Sequence, residues 1–358
     1  MSDKLSSKLS GIESFDLPKT TMSNISKNAK GFDLAANPFV YNSSPIANIL
    51  WVPMFGLMSI FLTYQFFKYR AWNFWPLTLG LFVETIALLL RATCTRSNNL
   101  DVYNASTILI LSTPAFLSLT LIQAYSRLEQ YLNPASVSSS SFSIFFSSVS
   151  LPAPKQLFTR ALTTLAFVAW TIQIISTGLL SQHFTTIAKP GTFTDVPAVL
   201  RKIEDMEKGW VAGLSVQALC IAVLMMAAMY SLFTAHKSTV QVLAQRKAAD
   251  IEGMGIRDAG VEMEDYRRQK ARTLFVPIVT GAALLLIRTT FSFFNHSFSS
   301  AGARKSYLNR NEWCFFIFDA MPVLLFSVLF ALYHPGRLLP RELIGWWVKQ
   351  SGVVGSRV

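Results

Sequence analysis

Three ionisable residues, Glu84, Arg288 and Asp319, lie inside long apolar stretches of this 358-residue chain. A charge in hydrocarbon costs roughly 2.5 to 3.5 kcal/mol on insertion scales, so such groups face a bundle interior and find partners. Glu84 is seven residues from Arg91, Arg288 seven from Asn295 and Asp319 seven from Glu312. At about 1.5 Å of rise per residue, all three sit about 10 Å below the same interface. Gln173 and Gln217 reach a similar depth, so five helices contribute to one polar layer. Arg288 is expected to pair with Asp319, because consecutive helices run antiparallel side by side. Glu84 is then left over, and it would take up a proton or receive a cation such as a lipid or drug amine. The alternative is that these groups serve as interhelical glue.

The elements that must hold this layer are seven apolar runs of the length that crosses a bilayer: 46–69, 72–90, 102–124, 157–180, 209–233, 274–294 and 313–333. The predicted class is all-α, a membrane bundle of seven helices in a single domain over residues 41–337. Pro53, Pro76, Pro114, Pro277 and Pro322 fall in or beside the runs, where membrane helices tolerate them and kink. Residues 1–40 are polar, rich in Ser, Lys and Asn, and lack the apolar core of a cleavable signal peptide; they read as a disordered tail. The serine-rich stretch 136–154 is too short of apolar residues to span. Residues 338–358, with Trp346 and Trp347 among Arg and Lys, read as an interfacial tail.

Orientation follows from the basic residues. With the N-terminus outside and the C-terminus cytoplasmic, 17 of the 32 Lys and Arg lie inside and 14 outside, with Arg288 between them. The Asn-x-Ser/Thr sequons at Asn24, Asn42, Asn104 and Asn295 all fall outside. Asn24 and Asn42 are the glycosylation candidates, since the other two lie too close to the membrane.

The composition argues against several functions. Hydrophobic residues make up 51% and charged residues 15%, and the net charge of +12 is scattered between apolar runs rather than drawn into a nucleic-acid stripe. Cys94, Cys220 and Cys314 have no CxxC spacing, although Cys94 and Cys314 share an outer level where a disulfide is geometrically conceivable. The four histidines, His183, His236, His296 and His334, divide between the two sides and read as loop or interfacial residues, too dispersed to hold a catalytic zinc. No phosphate-cradling glycine loop and no nucleophile elbow is present, so no enzyme, metal or cofactor is expected. Any transport would be facilitated, ion-coupled or driven by a partner. A seven-helix receptor or sensor remains a second reading, with Arg127 at the inner end of the third helix in the place of a switch arginine.

Further residues form a pattern: Tyr41, Ser44 and Asn48 before and in the first helix; Glu84 and Arg91 in the second; Pro114 and Arg127 in the third; Gly213, Leu214 and Gln217 in the fifth; Arg288 in the sixth; and Glu312, Asp319 and His334-Pro335-Gly336 in and after the seventh. Over residues 41–340 this pattern resembles the fungal lipid-translocating exporters, the RTA-like family associated with aminocholesterol and sphingoid-base resistance. The resemblance implies a multi-pass protein of the plasma membrane or another membrane of the secretory pathway. It implies that the chain moves or senses amphipathic lipids, with membrane lipids and an amphipathic small molecule as partners and no nucleic acid. The sequence departs from the family at Ala87-Leu88, near Ala166 where an aspartate is absent, and at Ser292 and Asn295, where charge is lost. These departures imply an altered substrate or a lost activity within a shared fold.

Overall fold

A computed structural model describes residues 45–97, 99–132, 154–187, 196–251, 269–297 and 311–339. The N-terminal tail with Asn24 and Asn42, the serine-rich stretch before Pro154 and the C-terminal tail from residue 340 lie outside them. The helices are α1 (Pro45–Tyr69), α2 (Trp75–Ser97, entered through a 3-10 turn at Trp72–Phe74), α3 (Leu100–Leu132), α4 (Pro154–Ile187), α5 (Val196–Ile251) and α6 (Phe275–Ser297). The seventh, α7, is built from Glu312–Phe315, a π-helical turn at Phe316–Ala320 and Met321–Leu332, and the short α8 follows at Pro335–Leu338. Each of α1 to α7 contains a stretch long and apolar enough to cross a membrane, so the protein is a multi-pass bundle of seven spanning helices. Several helices run past the apolar stretches that announce them. Hydropathy marks only the part in lipid, and backbone hydrogen bonding carries a helix onward.

The packing follows from which residues can hide from lipid. Two thirds (67%) of the most apolar window of α3 is buried but only 22% of that of α1, so α3 is central and α1 peripheral. Exposed Leu50, Leu57, Ile60 and Phe61 give α1 an apolar outer face, as a lipid-facing helix requires. α1 is held to α7 at both ends. Asn48 Nδ2 donates to Glu312 Oε1 at 3.1 Å, and Gln65 Nε2 donates to the Ala331 carbonyl at 3.1 Å. Between them Trp51 stacks on Phe316 with centroids 5.6 Å apart.

The turn from α1 to α2 is closed by a Schellman pair, Ala71 N–H to the Phe66 carbonyl at 3.0 Å and Arg70 N–H to the Phe67 carbonyl at 3.2 Å. Arg70 takes the left-handed position, φ 52°, that glycine usually fills. At the other end of the chain His334 lies in the link between α7 and α8, a loop position as expected, and is buried there. Its Nδ1 accepts the Gly336 N–H at 3.1 Å as the N-cap of α8, and its ring lies 5.3 Å from that of Tyr69. The sequence signal was the adjacent Pro335-Gly336, which starts a new helix and leaves an amide to be capped. His334→Ala removes both the cap and the packing, and is expected to cost about 1 to 2 kcal/mol, read as a lower thermal midpoint of the purified protein.

Candidate functional site

Arg288 of α6 is the largest fully buried side chain in the bundle. Its Nε lies 2.8 Å from Asp319 Oδ1, a close ion pair without the linear N–H geometry of a hydrogen bond. Its Nη2 lies 3.4 Å from Glu84 Oε2 and donates at 2.8 Å to the backbone carbonyl of Ile110 in α3. One guanidinium thus joins α2, α3, α6 and α7. The expected pairing with Asp319 is present. Glu84, however, is not left over: Arg288 spans both carboxylates because the planar fork presents several N–H groups in different directions.

Two prolines prepare these contacts. Pro114 lies inside α3 and has no N–H, so the carbonyl four residues earlier, that of Ile110, lacks its helical partner. Arg288 supplies the missing donor. Pro322 lies at the second position of Met321–Leu332, immediately after the π-helical turn. A proline ring clashes with the carbonyl four residues before it, here that of Phe318, and a widened turn relieves the clash. Asp319 is part of that turn and is buried.

Arg91 adds a second cation. It is buried one helix segment beyond Glu84, its guanidinium carbon lies 4.0 Å from the Phe315 ring centroid, and it acts electrostatically on Asp319. Arg91 thus lies near the cluster of two carboxylates and one guanidinium that helix depth suggested, on the side of Phe315.

The two glutamines form a separate group. Gln173 Nε2 of α4 donates to Gln217 Oε1 of α5 at 2.7 Å, both buried. The helices come this close because residue 213 is glycine. A Cβ there would stand 2.8 Å from Gln173 Cγ and 3.1 Å from the Ala169 carbonyl. Among the described residues no hydrogen bond or ion pair joins this pair to the charged cluster. Glu84 Oε1, Arg288 Nη1, Gln173 Oε1 and Gln217 Nε2 are buried without a hydrogen-bond partner.

Other candidates are placed differently. Arg127 Nη1 donates to Gln130 Oε1 of its own helix at 3.2 Å. Cys94, Cys220 and Cys314 are buried free thiols, and Cys94 Sγ donates to the Asn99 carbonyl at 3.4 Å. Asn104 lies within α3, with its amide nitrogen buried. Among the described residues no three His, Cys, Asp or Glu side chains gather where they could hold a metal ion.

Comparison with known proteins bears on this geometry. Residues 201–342 match the family model described as RTA1 like protein. Over these residues the chain is similar to RTA1-like proteins. The matched segment runs from Arg201 in α5 through α8, and so contains Gln217, Arg288, Glu312, Asp319 and the His334-Pro335-Gly336 exit. The family likeness read from the residues is borne out over this part. Glu84, Arg91, Pro114 and Gln173 lie before the matched segment, although α2 and α3 reach Arg288 within it. The chain is also 23% identical over 304 residues to a protein of Emericella nidulans named "Probable lipid transporter atnI", covering 85% of this chain and 68% of that one. No solved structure matches.

Proposed function

We propose that the chain moves amphipathic lipids of the sphingoid-base or sterol-amine kind across the membrane, taking them up at the level of the Arg288 cluster. The observation that carries this reading is the set of four buried polar atoms without partners, Glu84 Oε1, Arg288 Nη1, Gln173 Oε1 and Gln217 Nε2. A buried donor or acceptor left unsatisfied costs about 1 to 3 kcal/mol, which a headgroup carrying an amine and hydroxyls offsets. The likeness to RTA1-like proteins and to a protein named a probable lipid transporter supports the same reading. Glu84's part in it differs from that of a spare carboxylate: because Arg288 already engages it, an amine competes with Arg288 for Glu84 rather than filling a vacancy. Such competition makes binding and release depend on the same ion pairs, as alternating access needs a site that can exchange its partners. The basic-residue bias places the cluster nearer the outer leaflet.

Efflux of a labelled sphingoid base from cells expressing the wild-type chain tests the proposal, beside Glu84→Gln and Asp319→Asn chains matched for surface amount. Wild type is expected to accelerate efflux over empty vector, with both variants several-fold slower. Wild-type efflux equal to empty vector would remove the exporter reading and leave lipid sensing to be tested through signalling output.

A further inference from the structure

At the opposite end of the bundle from the Arg288 cluster, α3 and α4 border an open cavity of about 500 Å³, within the range of small-ligand sites. It is formed by residues one turn apart on each helix, among them Gln123, Ser126, Arg127 and Gln130 of α3 and Arg160 and Thr163 of α4. Arg127 is five residues from the end of α3 at Leu132, and Arg160 is six residues from the start of α4 at Pro154. Both therefore lie within about 10 Å of the helix ends, at headgroup depth.

Charge decides what this cavity takes. Among the described residues two guanidinium groups line it and no carboxylate does. Glu129, the acidic residue nearest in sequence, is turned the other way, where its carboxylate accepts from Ser231 of α5. Arg127 is fixed by its bond to Gln130, and no ion pair engages Arg127 or Arg160 among the described residues. The Thr163 hydroxyl donates to its own helix at 2.8 Å. Gln123 Oε1 is buried without a partner. Two like charges facing one cavity repel unless an anion sits between them, and the guanidinium fork matches phosphate oxygens two at a time. Alkyl stems, Ile122 and threonine methyls form the rest of the wall, which suits the glycerol and first acyl carbons behind a headgroup.

We infer that this cavity binds a phosphate group, held by Arg127 and Arg160, as the head of an anionic phospholipid or as a soluble phosphate ester. The site stands apart from the Arg288 cluster and does not depend on the transport reading.

Native mass spectrometry of the purified full chain in detergent tests it, with dioleoyl phosphatidic acid and dioleoylglycerol as probes. The wild type is expected to retain phosphatidic acid and not dioleoylglycerol, and Arg127→Gln with Arg160→Gln to weaken retention about tenfold or more. Arg337→Gln, which removes an exposed cation elsewhere, is expected to bind as wild type. Ser126→Phe fills the cavity while keeping both charges; it is expected to lose phosphatidic acid too, and serves if the double variant does not fold. Equal retention of the two probes by the wild type, or undiminished binding by the double variant or by Ser126→Phe, overturns the site. Displacement of phosphatidic acid by millimolar glycerol 3-phosphate assigns a soluble ester as occupant, and failure to displace it assigns the lipid.

Discussion

Arg288→Met is expected to lower the stability of the purified chain by about 3 to 5 kcal/mol, the usual cost of removing one partner from a buried ion pair. It leaves Glu84 and Asp319 facing each other's charge and uncovers the Ile110 carbonyl. The measurement is the thermal midpoint in detergent, with the monodisperse fraction by size-exclusion chromatography as a second reading. Adding Glu84→Gln and Asp319→Asn to the same chain removes the unpaired charges. It is expected to recover most of the loss, since replacing all members of a buried charge group is far milder than replacing one. A single variant as stable as wild type would show that the carboxylates do not rely on Arg288.

Gly213→Leu is expected to be the next most damaging change, at about 2 to 3 kcal/mol, because overpacking a tight contact forces backbones apart. Even an alanine Cβ stands 3.1 Å from the Ala169 carbonyl, which cannot rotate away. Separating α4 from α5 also breaks the bond from Gln173 to Gln217. Gly178→Leu is the control, as a Cβ there meets nothing within 4 Å. Comparing the thermal midpoints of the two variants checks the claim, and equal losses would contradict it.

The seven spans were legible in the sequence because hydrocarbon imposes a minimum apolar length that few soluble segments reach. The common level of Glu84, Arg288 and Asp319 was legible too, since rise per residue is fixed. What depth cannot give is azimuth. Arg288 and Asp319 were paired correctly because they lie on neighbouring antiparallel helices, whereas Glu84 was assigned no partner because α2 and α6 are not consecutive. The Gln173–Gln217 bond needed the additional fact that Gly213 lets α4 and α5 approach. Two prolines mark the remaining contacts in the sequence. Pro114 frees a carbonyl four residues back at the depth of the layer, and Pro322 three residues after Asp319 favours a widened turn. The burial of His334 could not be read from hydropathy, because one polar ring facing Tyr69 leaves no trace in an average.

The span of chain between Glu84 and Arg288 sets an order of events during synthesis. The two are 204 residues apart, which at about 5 to 20 residues per second takes a ribosome roughly 10 to 40 s. Helix α2 is therefore made long before α6, and through the making of α3, α4 and α5 the Arg288 guanidinium that pairs with Glu84 in the finished bundle does not yet exist.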